Sequence, residues 1–489
     1  MLLHFKNSLA KYALHLGLLP FFFFIHTLNR YYHSSLITDA LLLSLVYTTG
    51  GLIASVVLNI FFRNFTKSSI VVCLLLCIQF FTGSFHDGLK SRFPDFFLNK
   101  YIYLFPFLAI TILIVAFLLK KRTQHPQKIQ FALNSIFLLL LLTETVPLTA
   151  NALKGNSIET STLVFKEPKT KPDIYILLAD EYAGHSTLKN DFGYDNSPFE
   201  NELRSRGFWV GENTNSNYNA TVYSMASFLN LDYLNGLERN DINHQDMLSC
   251  RNLIKHSQLT NWLINEGYSI ENNSPFDIGP TEKLYKKPFF LSNWELLSFH
   301  LFSTRIYRQL GFHLHKKELE DLYYRLNNIQ NDKTSQSTLK PENFSAKGPR
   351  FVYSHFSVPH HPYLKDSTGN HVDINLLKSK EWKYNKSGYL NYLLFGNKML
   401  IQLCDSILRS SKTPPVIIVM SDHGFRQYKS PANNAAFFSN LMAVYTPDGN
   451  YTGLYPGISN VNVLRQILNN ELGQHFIPLK DSSIFLTED

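Results

Sequence analysis

The first ~150 residues are nearly continuous apolar runs, whereas the remainder alternates charged residues, turn residues and short hydrophobic runs. The two regions are therefore built for different solvents, the first for hydrocarbon and the second for water. At ~20 apolar residues per crossing, five candidate helices fall at about 12 to 28, 36 to 61, 68 to 85, 101 to 119 and 130 to 150. No small-residue cleavage site follows Phe21 to Phe24 and further apolar segments come after them, so the first run reads as an anchor, not a signal peptide.

Basic residues near the span ends give an orientation. If the helices alternate, Lys6, Lys11, Arg63, Lys67, Lys120, Lys121, Arg122 and Lys128 share one side, against Arg30, Lys90, Arg92 and Lys100 on the other. That asymmetry places the N-terminus in the cytoplasm and, after five crossings, everything beyond about residue 151 outside. The expectation is a multi-pass inner (plasma) membrane protein. His15, His26, Asp39 and Glu144 lie within or at the ends of the spans, where ionisable groups carry a functional reading beside an interfacial or capping one.

The net charge of +8 is concentrated beside the membrane segments, and no Lys/Arg block interleaves with aromatics as a nucleic-acid module requires, so no nucleic-acid partner is expected. Cys73 and Cys77 fall inside an apolar run and read as small buried hydrophobes; pairing of Cys250 with Cys404 stays open.

In the second region, residues 152–171 are polar and aperiodic and read as a linker. Three β-runs follow: Ile174 to Ala179 after Pro172, Arg350 to Ser354, and Val416 to Met420 after Pro414-Pro415. Separated by helical segments, they predict an α/β domain with a central, mostly parallel sheet. Ser197 to Arg206 predicts a helix with Ser197 as its cap, Leu259 to Glu266 another, and Tyr389 to Arg409 an amphipathic crossover into the third strand. Between 272 and 345 helical patches at Trp294 to Gln309 and Lys316 to Asn327, then the polar run Asn328 to Thr338, suggest an insertion or lid.

Each β-run ends in chemistry. The first runs into Asp180 and Glu181, the second into His355 and then His360 in a Pro-His-His-Pro loop, the third into Asp422 and His423. Open α/β sheets bind ligands at the carboxyl ends of their strands. Thr221 sits where a polar loop enters a helix carrying Met225 and Phe228, a helix start that favours an oxyanion or phosphate. Oxygen and imidazole ligands suit Zn or Mn, and a hydroxyl beside such an ion can lose its proton and attack phosphorus.

From about residue 171 to the end, the order of these segments resembles the alkaline phosphatase superfamily, in particular its sulfatase-like branch containing lipoteichoic acid synthases and lipid phosphoethanolamine transferases. The resemblance implies a membrane domain at 1–151 followed by an extracytoplasmic sulfatase-like catalytic domain at 172–489. It implies Asp180, Asp422 and His423 as metal ligands, with Glu181 as an alternative to Asp180, and Thr221 as nucleophile and further ligand. His360 would contact the transferred or leaving group, and His355 and Ser224 the substrate. The implied metal is Zn or Mn, ahead of Mg or Ca. Where sulfatases follow the nucleophile with a proline and a Ser-Arg pair, this chain has Tyr223, Ser224 and Met225, and it lacks the cysteine that becomes formylglycine, which argues against sulfate esters.

The implied activity is transfer of a phospholipid head group, phosphoethanolamine or phosphoglycerol, to an envelope glycan or lipid through a phospho-threonine. A phosphoric or sulfuric ester hydrolase and an inactive membrane-anchored scaffold are the alternatives.

Overall fold

The apolar runs form five helices in the computed structural model: α1 His15–Arg30, α2 Ile37–Phe62, α3 Phe65–Arg92, α4 Tyr101–Lys121 and α5 Pro126–Lys154. The structure describes residues 8–121, 124–154, 158–237, 240–284, 292–314, 330–340, 348–377, 379, 381–429 and 434–487. Helices α2 to α5 are long and apolar enough to cross a membrane. Helix α1 has 16 residues, or about 24 Å at ~1.5 Å per residue, short of the ~30 Å hydrocarbon thickness. Among the described residues four helices therefore meet the length of a crossing, close to the five expected.

Helix α1 is nonetheless part of the bundle, with Leu16, Leu19, Phe23 and Phe24 buried. Its start is fixed by Asn134 of α5, whose Oδ1 accepts the His15 backbone N–H at 2.6 Å and meets the ring Nδ1 at 2.9 Å. The same amide donates to the carbonyls of Leu9 and Tyr12. These bonds satisfy backbone groups that a helix start leaves open, which lets the chain break its helix inside an apolar bundle. Glu144 of α5 accepts from Asn29 Nδ2 at 2.7 Å and pairs with His26 Nδ1 at 2.8 Å, so these ionisable groups tie α1 to α5.

The chain divides into two units, residues 1–156 with 290–316, and residues 157–289 with 317–489. Of the segment read as an insertion, residues 290–316 thus belong to the helical unit, with helices Asn293–Ser298 and Phe302–Leu314, and the remainder belongs to the α/β unit. The patch at Lys316 to Asn327 lies outside the described residues, and residues 330–338 of the polar run are helical.

In the second unit the stretch expected as a linker runs along the α/β core instead. Phe165 stacks on Trp262 at 4.9 Å, and backbone groups of Ser161, Leu163 and Lys166 bond to Asp232, Gln258 and Gln474. The sheet comprises β1 Ile174–Ala179, β2 Trp209–Val210, β3 Ser269–Asn273, β4 Arg350–Phe356, β5 Val416–Met420 and β6 Met442–Tyr445. Its order is β2-β6-β5-β1-β4-β3. Strands β5, β1, β4 and β3 run parallel, and β6 is antiparallel to both its neighbours.

Every residue of β1, β4 and β5 is buried, as in the centre of a parallel sheet; β1 and β5 are continuous apolar runs, whereas β4 also buries Arg350, Ser354 and His355. Two helices bear on the site: α6 Thr221–Leu229 and α7 Lys386–Ser410. The latter buries Tyr389, Leu393, Leu400, Cys404 and Ile407 in the core that contains β1 and β5. The helix expected to be capped by Ser197 spans Ser197–Ser205 with Asn196 at its N-cap position, and Ser197 N–H donates to Asp195 Oδ1. All four cysteines are free thiols, so Cys250 and Cys404 do not pair.

Candidate active site

Strand β1 lies between β4 and β5 in register, Leu178 beside both His355 and Met420, so the chain leaves three adjacent strands at one edge of the sheet. Asp180 follows β1 immediately and Asp422 follows β5 after one residue, which brings their carboxylates together with the His423 ring. One ligand atom from each lies within 4.8 Å of the others. His423 Nε2 is 3.3 Å from Asp422 Oδ2 and 3.8 Å from Asp180 Oδ1. His423 Nδ1–H donates to the Gly424 carbonyl at 2.8 Å. That bond fixes the tautomer and leaves the Nε2 lone pair facing the carboxylates.

The chemistry of this cluster fits a divalent metal. Asp180 Oδ1 and Asp422 Oδ2 are buried with no hydrogen-bond partner among the described residues. Two buried carboxylate oxygens facing one imidazole are an arrangement that a cation relieves, and buried unpaired anions otherwise carry a large desolvation penalty. An oxygen-and-imidazole donor set accommodates Zn or Mn. Burial by itself would raise the Asp180 pKa, but the neighbouring His360, His355 and His423 hold it below the usual carboxylate range.

Thr221 opens α6 behind Ala220, and its Oγ lies 3.3 Å from His423 Nε2. The hydroxyl, the imidazole and the two carboxylates therefore converge on one point at the N-terminus of a helix, where backbone N–H groups favour negative charge. Asn219 has its side-chain amide buried against the backbone of Leu486, which leaves no room for a glycan on the Asn219-Ala220-Thr221 sequence.

Backbone geometry holds the loops in place. Glu181 takes a left-handed φ of 62°, and its N–H donates to Asp422 Oδ1 at 3.2 Å. Tyr182 N–H reaches Ser421 Oγ at 2.8 Å, and the Tyr389 hydroxyl joins the Glu181 carbonyl to the Ala183 amide. A Cβ on Gly424 would strike the carbonyl oxygens of Ala436 and Ser439, so the glycine after His423 is needed for a close backbone approach.

Other expected site residues take different places. The Glu181 side chain is not among the three clustered ligands. It accepts from Arg426 N–H at 2.8 Å and Gln427 Nε2 at 3.1 Å, and its Oε2 is 3.7 Å from His360 Nε2. The His355 ring meets Asp180 Oδ2 through Nε2 at 3.3 Å and the Tyr353 hydroxyl through Nδ1 at 3.1 Å. Ser224 is buried and donates to the Asp422 carbonyl at 2.6 Å, tying α6 to the end of β5. His360 remains partly exposed beside the cluster. Its burial lowers the pKa, but the charges of Asp180 and Glu181 outweigh that and raise it above the ordinary value.

Sequence reasoning missed Tyr353 and Arg426. Tyr353 stands two residues before His355 on the same strand, a period-2 relation that could have shown it. Arg426 Nη1 bonds the Asn219 carbonyl at 3.1 Å, joining the loop after β5 to the loop before Thr221, and no local pattern signals that contact.

The Glu181 geometry makes a prediction. Glu181→Gln is expected to leave metal affinity within about threefold of wild type, because its carboxylate lies outside the ligand cluster, and to lower kcat about 10- to 100-fold by altering the neighbour of His360. Metal titration and steady-state rates on the same preparation check it, and a collapse of metal affinity would return Glu181 to the ligand set.

No protein-family model and no curated protein matches the sequence. Similar solved structures include the C-terminal periplasmic domain of EcEptC from Escherichia coli in complex with Zn, with 12% identity over 68% of this chain and 89% of that one at TM-score 0.39. The C-terminal periplasmic domain of phosphoethanolamine transferase EptC from Campylobacter jejuni shares 13% identity over 65% and 92% at TM-score 0.35. BT1596, a 2-O GAG sulfatase, shares 14% over 65% and 73% at TM-score 0.38. At these identities and TM-scores none of the likenesses transfers a role, and roles are argued from the residues.

Proposed function

We propose that the chain is a membrane-bound, metal-dependent phosphotransferase of the sulfatase-like type, with its α/β unit on the extracytoplasmic side. The observation that supports this most is the convergence of two orphaned carboxylate oxygens, from Asp180 and Asp422, with His423 Nε2 and the Thr221 hydroxyl at a helix start.

Asp180, Asp422 and His423 would hold the metal, with Thr221 Oγ completing the set. A divalent ion there would supply Lewis acidity, lowering the pKa of the hydroxyl and offsetting charge that builds on phosphate oxygens. Thr221 Oγ attacks the phosphorus of a phosphoethanolamine- or phosphoglycerol-type phospholipid, and the ester bond to the lipid glycerol breaks. His360 Nε2 gives its proton to the departing oxygen, while its Nδ1 is anchored on the His361 carbonyl. An acceptor hydroxyl of the envelope then takes the head group from the phospho-threonine. His355, held by Tyr353, fixes the Asp180 carboxylate throughout. Tyr223 and Met225 are buried side chains of α6, so the positions after Thr221 supply packing where a sulfate-handling arginine would stand.

The test is product analysis with full-length protein in vesicles carrying phosphatidylethanolamine or phosphatidylglycerol labelled in the head group. Transfer predicts released diacylglycerol, label on Thr221 and label passed to an added acceptor alcohol. Free head group as the sole labelled product would mean hydrolysis, and absence of any metal-dependent release would overturn the enzymatic reading.

A further inference from the structure

The segment at 292–314 is separated in sequence from the spans by the whole first half of the α/β unit, yet it packs on them through specific contacts. Asp39, at the start of α2, accepts from Asn293 Nδ2 at 3.0 Å and from Trp294 Nε1 at 3.1 Å. Gln79 of α3 exchanges two bonds with Ser303, and Arg305 forms a two-pronged pair with Asp87 near the end of α3. Phe302 packs on Tyr101 and Phe105 at the start of α4, with ring centroids 6.5 and 5.8 Å apart. A Cβ on Gly83 would run into the His300 carbonyl, so the backbone of the segment lies directly on α3.

These contacts mark one membrane boundary. Since consecutive spans alternate direction, the start of α2, the end of α3 and the start of α4 lie on the same side, with the end of α5 that leads out of the unit. Asp39 and Asp87 stand where the apolar windows of α2 and α3 give way to polar residues. The segment therefore lies along the rim of the spans, at the depth of lipid head groups. Its inner face is satisfied: Leu296, Leu297 and Leu301 are buried, and Ser292 and Glu295 close a capping box.

Its outer face has a different composition. Trp294 is 45% exposed even though its indole N–H is bonded, and Tyr307 is 81% exposed. Arg308 is exposed with its guanidinium 4.7 Å over the Phe299 ring. In water, exposed indole and phenol rings are unfavourable; at a bilayer interface they are favoured, because their apolar bodies sit against acyl chains and their polar tips among head groups. An adjacent guanidinium complements lipid phosphate.

We infer that residues 292–308 are an interfacial element that lies in the phospholipid head-group layer, with Trp294 and Tyr307 as its anchors and Arg308 toward lipid phosphate. The occupant of this face is glycerophospholipid, not a protein partner, because the elements it continues are themselves membrane spans. The inference rests on the spans and not on phosphotransfer. Its consequence is that the chain passes between the two units three times, near 156, 289 and 316.

The experiment uses full-length protein in vesicles of phosphatidylcholine brominated either at the shallow 6,7 or the deep 11,12 acyl positions. The Trp294 signal is taken as the difference between wild type and Trp294→Phe. Trp209, Trp262 and Trp382 belong to the other unit and cancel. The Trp294 component is expected to be quenched about twofold or more by shallow bromines and less by deep ones. Because Trp294→Phe also removes a bond to Asp39, Tyr307→Trp in that background serves as an independent probe, and the indole it introduces should show the same depth order. Absence of bromine quenching at either position, or stronger quenching by the deep probe, overturns the inference.

Discussion

Thr221→Ala is expected to abolish turnover, by about 10³-fold or more, equivalent to ~4 kcal/mol of lost transition-state stabilisation. The protein should remain folded and metal-loaded. The substitution removes one oxygen and one methyl group at the first position of α6, just after the N-cap residue Ala220, and alanine is the best helix former. Its hydroxyl approaches His423 Nε2 at 3.3 Å, and neither Asp180 nor Asp422 depends on that contact, so Asp180, Asp422 and His423 keep their positions. Thr221→Ser keeps the hydroxyl and should retain activity within about tenfold. Turnover of labelled phospholipid, metal content and circular dichroism on the same three proteins decide the matter. Full activity in the alanine variant would remove the nucleophile assignment.

Asp422→Asn is expected to have the second-largest effect, and to act through the metal. The Glu181 N–H bond to Oδ1 can survive the change, but the charge on the orphaned Oδ2 is lost. Metal affinity should fall about 100-fold or more, with activity following it. Stability supplies an independent readout. At 100 times its dissociation constant a bound metal stabilises the fold by ~2.7 kcal/mol, so added Zn or Mn should raise the unfolding temperature of wild type and not of the variant. In chelator the order reverses: the variant should be at least as stable as wild type, because one of two facing buried carboxylates has gone. Metal binding by the variant at wild-type affinity would show that the cluster is not the metal site.

Much of this architecture was legible in the sequence because its signals are local. Short apolar runs behind Pro172 and behind Pro414-Pro415 marked β1 and β5, and apolar stretches of about 20 residues marked α2 to α5, since both patterns report burial directly. Strand β6 escaped notice because four residues after an irregular loop carry little periodicity, and its antiparallel place beside β5 depends on a distant turn. The start of α1 at His15 was not legible because hydropathy cannot show that Asn134, more than a hundred residues away, bonds to the backbone there.

The same division runs through the site. Asp180, Thr221, Asp422 and His423 could be picked out because each sits at a strand end or helix start, and strand ends and helix starts are readable from composition. The hydrogen-bond partners of Glu181, His355 and Ser224 could not, because they depend on which atom faces which neighbour: Glu181 turns to Arg426 and Gln427, His355 to Asp180 and Tyr353, Ser224 to a backbone carbonyl.

By itself the sequence determined that the chain has an apolar helical part and an α/β part, and which residue types stand at the ends of the central strands. Local burial and backbone preference are enough to dictate both. The tertiary structure alone decided that residues 292–314 leave the α/β unit to pack on the spans, and that two carboxylate oxygens are left without partners beside Thr221. Those outcomes arise from contacts between groups remote in sequence, whose distances and orientations are fixed only when the sheet and the bundle have formed.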